Sequence, residues 1–250
     1  MRYQPCRHSC IVPRTTEGEG TALGTAARMA ADDRVALRDV TVRYGRRVAL
    51  EAVSGEFLPG SLTAVVGANG AGKSTLLAAI AGTVRLAAGS VHRPRPQRLA
   101  YLPQLAALNT DYPLTVQELI TLGAWRDIGI FRAPDHALRT RVTTAATTVG
   151  LQDRQHRHIG ELSTGELQRA LFARLILQDA AVILLDEPFA AVDARTTSVL
   201  LEQVARWHQE GRTVIAVLHD LALVRANFPT TLVLAHRCVA WGATETALAT

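Results

Sequence analysis

The strongest constraint on what this chain can fold into is the stretch Gly67-Ala68-Asn69-Gly70-Ala71-Gly72-Lys73-Ser74-Thr75. Before it stands Leu62-Thr63-Ala64-Val65-Val66, a short apolar, β-branched run that reads as a buried strand. After it stands Leu76-Leu77-Ala78-Ala79-Ile80-Ala81, which reads as a helix. Strand, G-x-x-x-x-G-K-S, helix is the context in which this pattern predicts a phosphate cradle. Glycines let successive backbone N–H groups point into one concavity, and the new helix adds the positive end of its dipole. Lys73 is placed to reach the β- and γ-phosphates of a nucleotide, and the Ser74 hydroxyl to take a Mg²⁺ ion. Among 27 basic residues, Lys73 is the only lysine. Arginine is a planar fork and lysine a compact point charge, so the two are not interchangeable in a tight cradle.

A chain of 250 residues allows one large domain or a core with a subdomain, and 48% hydrophobic residues supply a sizeable core. The net charge of +5 fits either a bias toward arginine or attraction to anionic nucleotide, nucleic acid or lipid headgroups. No long basic block with interleaved aromatics appears, so the expectation is no nucleic-acid partner. Cys238 lies in an apolar segment and is expected in the core. Cys6 and Cys10 flank His8, which is an incomplete metal set, because structural zinc takes four ligands. Three cysteines without a framework of spacings imply no disulfide scaffold, which fits a cytosolic protein. No run approaches the ~18 apolar residues of a membrane span, and the start of the chain has no apolar stretch suited to a signal peptide. Any membrane role is therefore peripheral or made through a partner.

Residues 1–31 mix Pro5, Pro13, Gly18, Gly20 and Gly24 with Thr and Arg, without periodicity. They are expected to be a disordered tail, or to precede a true start at Met29. Val35 to Tyr44 and Val48 to Phe57 read as strands joined by Gly45-Arg46-Arg47. Tyr44, just before that turn, suits either stacking on a nucleotide base or local edge-strand packing. Residues 88–91 and 99–102 read as short strands, the second leading to Gln104, whose amide oxygen suits Mg²⁺ and an attacking water. From 105 to about 160, helices over 114–123 and 134–150 and no strand pattern predict a helical insertion into an α/β core. Trp125, Ile128, Ile130 and Phe131 form either a docking surface or a small core. His156-Arg157-His158 has no acidic or cysteine neighbour at ligand spacing and reads as an exposed turn.

Leu162-Ser163-Thr164-Gly165-Glu166-Leu167-Gln168-Arg169 opens a helix to about Gln178. Ser163 followed by Glu166 is a capping-box pattern, and a Ser-x-Gly turn at a helix start also suits an anion. Residues 181–185 are a continuous apolar run ending in Asp186 and Glu187, as expected of a central parallel strand. Its C-terminal end belongs beside the phosphate loop in a doubly wound sheet. Asp186 then suits the Mg²⁺ shell, and Glu187 the polarisation of water. A helix over 194–210 precedes the apolar strand 213–218, which ends at His219, placed for a γ-phosphate contact. Residues 231–241 read as two further strands.

Together these motifs resemble the ATP-binding subunit of an ABC transporter over about residues 34–245. The resemblance implies an α/β, P-loop NTPase fold of ABC type: a mixed core sheet, an antiparallel β portion and a helical subdomain at about 105–165 within a domain spanning 32–250. It implies ATP and Mg²⁺ as ligands. Tyr44 resembles the adenine-stacking aromatic, and Gly67 to Thr75 the Walker A loop, with Lys73 on the phosphates. Ser74, Gln104 and Asp186 match the Mg²⁺ site, Glu187 the catalytic glutamate and His219 the switch histidine. Asp193 resembles the D-loop aspartate in Ala191-Val192-Asp193. Ser163, Thr164, Gly165 and Glu166 stand where the signature L-S-G-G-Q belongs, contacting the ATP of a second copy in a head-to-tail homodimer. Thr164 and Glu166 depart from that signature. Glu166 is expected to fold back as capping partner of Ser163, with Arg169 offsetting its charge.

The wording of 169–174 and 184–197, Tyr112 to Val116 and Gly123-Ala124-Trp125 is most similar to bacterial zinc and manganese import ATPases. That likeness implies transmembrane permease subunits, an indirect metal-binding solute-binding protein, and a peripheral place on the cytoplasmic side of the membrane. An importer of another solute, such as chelated iron, and a soluble non-transport ABC ATPase are the competing readings.

Overall fold

The computed structural model describes residues 33–95, 98–105, 112–125, 135–190 and 192–249. The expectations for residues 1–31, for Ile128, Ile130 and Phe131, and for Ala191 lie outside the described residues.

The chain opens with an antiparallel pair, β1 (Val35–Tyr44) and β2 (Arg47–Phe57), joined at Gly45-Arg46. Gly45 at φ 58° supplies the left-handed turn residue that a tight hairpin needs. After β3 (Leu62–Val66) and helix α1 (Lys73–Ala81), strand β4 (Ala88–His92) returns to pair with β1. This gives a sheet of order β2-β1-β4. The second sheet takes in β5 (Leu99–Leu102), β6 (Val182–Asp186), β7 (Thr213–Val217), β8 (Thr230–Ala235) and β9 (Arg237–Ala243). Its order is β5-β6-β7-β3-β8-β9, parallel except for the last hairpin.

All five residues of β3, β6 and β7 are buried, which is why they read as unbroken apolar runs. Their side chains still alternate between two cores. Ala64, Val66, Ile183, Leu185, Val214 and Ala216 face a helical layer, whereas Val65, Val182, Leu184, Ile215 and Val217 face β1, β2 and α1. The helical layer holds α2 (Val116–Thr121), α3 (His136–Thr148), α4 (Thr164–Gln178) and α5 (Ala194–Gln209). Phe172 of α4 stacks on Trp207 of α5 at 5.9 Å. Two short helices, α6 (Leu221–Asn227) and α7 (Thr244–Ala247), complete the order.

Several local expectations are corrected. The helix expected over 114–123 is α2 followed by a 3-10 turn at Leu122–Ala124, because Gly123 lies so close to α4 that a Cβ there would stand 2.3 Å from the Arg174 carbonyl oxygen. The helix expected over 134–150 begins at His136, where Asp135 caps it by accepting from Leu138 N–H at 2.8 Å. The helical stretch also contains one isolated antiparallel bridge, Thr115 with His158. Cys238 is half-buried rather than core, because β9 is paired only on its β8 side in that sheet.

Candidate functional site

Parallel strands deliver their C-terminal ends to one edge, where β6 ends in Asp186 and β3, β5 and β7 lead within one or two residues to Gly67, Gln104 and His219. From β3 the chain enters Gly67–Gly72 and turns into α1. Gly72 caps this helix at φ 98°, with no side-chain bond to the first turn and no acidic residue in it. The α1 N-terminus therefore keeps its N–H groups and its dipole for an external anion. No larger residue fits at two places. A Cβ on Gly67 would lie 2.1 Å from the Leu234 carbonyl oxygen, and one on Gly72 would lie 2.4 Å from that of Ala49.

Lys73 is buried, and its Nζ donates to the carbonyls of Gly67 at 2.9 Å and Ala68 at 3.0 Å. Burial lowers its pKa, while the Glu187 and Asp186 charges oppose that. The Ser74 hydroxyl donates to Asp186 Oδ1 at 3.0 Å across the α1–β6 gap. Asp186 is buried, which raises its pKa, and the Ser74 bond works the other way. Ser74 and Asp186 thus form a hard-oxygen pair next to the phosphate cradle, a donor set that fits Mg²⁺.

Glu187, one residue beyond β6, is held at both oxygens. Gln104 Nε2 donates to Oε2 at 2.8 Å, and His219 Nε2–H donates to Oε1 at 2.6 Å. The backbone of Glu187 is left-handed at φ 50°, a conformation costing about 1–2 kcal/mol for a residue with a Cβ. Strain of this kind collects where a side chain must be aimed.

Gly72, Lys73, Ser74, Gln104, Glu187 and His219 line an open cleft of about 750 Å³ with Tyr44, Asn69, Gly70 and Thr75 along it, while Asp186 is buried behind Ser74 and outside the lining. Tyr44 is 54% exposed, so its ring is free for a planar ligand. The cleft also includes Arg47 and Ala49, which sequence reasoning missed. Arg47 is the register partner of Tyr44 across the hairpin, and its guanidinium reaches to Gly70. An arginine opposite an exposed aromatic at a hairpin mouth was the available signal.

The residues Ser163 to Glu166 are not part of this cleft. They start α4 with a complete capping box: Glu166 N–H donates to Ser163 Oγ at 3.3 Å, and Ser163 N–H to Glu166 Oε2 at 3.0 Å. The Ser163 N–H bond holds the Glu166 carboxyl below its ordinary pKa. Arg154 pairs with it at 3.5 Å, and the charge of the expected Arg169 also favours the carboxylate, although the Arg169 guanidinium donates to the carbonyls of Val149 and Gly150. Asp193 also stands outside the cleft, capping α5 through Thr196 N–H at 2.9 Å. His156, Arg157 and His158 are exposed. No helix among the described residues is long and apolar enough to cross a membrane.

Residues 50–190 match the ABC transporter family. The manganese transport system ATP-binding protein of Bacillus subtilis (strain 168) is 35% identical over 217 residues, covering 84% of this chain and 87% of that protein. The zinc transport system ATP-binding protein of Treponema pallidum (strain Nichols) is 36% identical, covering 85% and 82%. Among solved structures, one described as a metal-chelate type ABC transporter in an inward-facing conformation superposes with a TM-score of 0.74 at 25% identity, covering 85% of this chain and 84% of that one. A nucleotide-free ATP-binding cassette gives 0.72 at 20% identity, covering 86% and 95%, a likeness of fold alone.

Proposed function

The chain belongs to the ABC transporter family as an ATP-hydrolysing subunit, and from this premise we propose that it powers the import of a divalent metal ion, zinc or manganese. The relatives named for manganese and zinc transport, each matched over more than four-fifths of both chains, carry the reading of the cargo. The likeness to a metal-chelate transporter favours, as second reading, a chelated metal such as iron. We place the subunit on the cytoplasmic face of the membrane, against permease subunits that receive cargo from a solute-binding protein.

The observation that carries hydrolysis is Glu187, held by Gln104 and His219 at the mouth of the phosphate loop. Tyr44 stacks on the adenine ring. The N–H groups of Gly67 through Thr75 and the Lys73 ammonium hold the phosphates and absorb the charge that develops during transfer. Ser74, Asp186 and Gln104 would hold Mg²⁺, which when bound draws charge from the phosphate oxygens. Glu187 orients the attacking water and takes up its proton, while His219 and Gln104 fix that carboxylate and contact the γ-phosphate side. The site is completed by Ser163, Thr164, Gly165 and Glu166 of a second copy, with Asp193 beside the dimer seam. The helices from about 105 to 165 form a subdomain that moves on closure and pushes on the permease.

Two measurements test this. Glu187→Gln should trap an ATP-bound dimer with hydrolysis nearly abolished, and unchanged turnover would refute the assignment. Uptake of zinc, manganese and iron in a deletion strain, with and without the gene restored, should show loss of zinc or manganese uptake. Loss of chelated iron alone would move the cargo to the second reading.

A further inference from the structure

We infer that Gln168 is a positioning residue for hydrolysis: through the Pro188 carbonyl it fixes the chain just beyond Glu187, and so the aim of that side chain, and it fastens this segment to α4. This rests on the reading of Glu187 given above.

Gln168 sits one turn into α4 and is 1% exposed. Its Nε2 donates to the Pro188 carbonyl at 2.7 Å. Its Oε1 is buried with no hydrogen-bond partner among the described residues. A half-satisfied amide in a core is worse for folding than an apolar side chain of the same shape. The residues around it on α4 are apolar, with Leu167, Leu171, Phe172 and Leu175 all buried. Packing therefore gives no reason for a glutamine at this place, and the bond it makes does.

What that bond holds is the peptide that follows Pro188, one residue beyond a strained backbone position. Glu187 is left-handed, and it precedes a proline, which restricts it further. Such a conformation persists only where its surroundings over-determine it. Three bonds do so here. Glu187 N–H donates to the Val217 carbonyl at 3.2 Å, Ala190 N–H to the Glu187 carbonyl at 3.1 Å, and Gln168 to Pro188. The first two belong to the sheet and the following turn. The third comes from a different element, so it is the one that transmits the position of α4.

The same helix grips the other side of the site. Arg174 donates to the Tyr101 carbonyl at 3.3 Å, and Gln178 to the Leu99 carbonyl at 3.1 Å. Both acceptors lie in β5, the strand that leads to Gln104. Through buried Gln168 and half-buried Arg174 and Gln178, α4 thus holds the two elements whose side chains meet at Gln104–Glu187, and the first turn of α4 carries Ser163 and Gly165. Whatever seats the α4 N-terminus against a second copy acts, through Gln168, on the aim of Glu187.

The test uses the full chain and Gln168→Met, which keeps length and removes both polar atoms. Expected, per folded protein, are a melting temperature lowered by a few degrees at most, because the buried Pro188 carbonyl loses its donor while an unpartnered amide oxygen is removed, a KM for ATP within twofold, and a kcat reduced about tenfold, or about 1.4 kcal/mol of barrier. In the Glu187→Gln background the same substitution should change residual turnover less than twofold. A kcat within twofold of wild type overturns the inference, and so does an equal loss in both backgrounds. Retention of full turnover by Glu187→Gln alone overturns instead the reading of Glu187. Gln168→Glu provides a second readout should the methionine variant misfold. Only its protonated carboxyl donates to the carbonyl, so its activity relative to wild type should rise as pH falls from about 9 to about 6. A flat ratio overturns the inference.

Discussion

Replacing Lys73 by arginine keeps the charge and changes only its shape, so it isolates what the phosphate loop requires of this side chain. Lys73 is 5% exposed, and its ammonium is fitted between two carbonyls at 2.9 and 3.0 Å. A guanidinium is wider and planar, and it cannot sit as a point between them. The loop cannot widen to admit it. Gly67 abuts the Leu234 carbonyl and Gly72 the Ala49 carbonyl, and both are places where even a methyl group does not fit. Over-packing of this kind costs about 1–3 kcal/mol of stability. A catalytic cation displaced by an ångström costs about 10²-fold in rate, or about 2.7 kcal/mol of barrier. We expect Lys73→Arg to hydrolyse ATP at about one-hundredth of the wild-type rate, and Lys73→Ala to fall at least as far. The assay is phosphate release at saturating ATP and Mg²⁺, normalised by melting temperature and by circular dichroism to the folded fraction. Should Lys73→Arg retain a third or more of wild-type turnover while Lys73→Ala is inactive, charge alone suffices and the shape argument fails.

Glu166→Gln should leave turnover within a few-fold, because the amide can still accept from Ser163 N–H; a large gain in ATP-driven dimerisation, seen by light scattering, would show that the carboxylate opposes closure. The capping carboxylates predict an acid limb to stability. Glu166 and Glu118 both have pKa values lowered below an ordinary 4.5, chiefly by the N–H of Ser163 and of Thr115, so their caps contribute fully above about pH 4.5 and are lost as pH falls through the lowered values. Melting temperature measured from pH 6 to pH 3 should therefore drop less steeply for the double variant Glu118→Gln, Glu166→Gln than for wild type, and identical slopes would remove the caps as the cause.

The parts of the site legible in the sequence are those in which local pattern and chemistry coincide. The strands β3, β6 and β7 are buried on both faces, so they appear as unbroken apolar runs, and each ends at or within two residues of the residue it delivers. The Ser163–Glu166 box has its spacing written in the chain. What was not legible depends on which distant residues meet. Arg47 enters the cleft because the hairpin register sets it against Tyr44. Gln168 is one polar residue in a helix whose period shows nothing unusual, and its meaning appears only when Pro188 lies above it. The error over Cys238 has a similar origin. An apolar neighbourhood does not reveal that a strand lies at the end of its sheet. Arg154 joins Arg169 in offsetting Glu166 because the loop before α4 brings it to the helix start, a path no periodicity encodes.

The strand order also sets when the phosphate loop comes into being. β3 is flanked by β7 and β8, whose residues begin at 213 and 230. The wall behind Gly67 is Leu234, and His236 clamps the loop by donating its N–H to the Ala71 carbonyl at 2.9 Å and its Nδ1–H to that of Ala49 at 3.2 Å. On a ribosome adding about 5–20 residues per second, the glycine loop therefore waits roughly 8–30 s for the β8–β9 hairpin to be made. Until β7 is made β3 has two open edges, and until β8 is made it still has one. A chain interrupted before residue 230 keeps every letter of the phosphate motif and lacks the Leu234 wall and the His236 clamp that shape its loop.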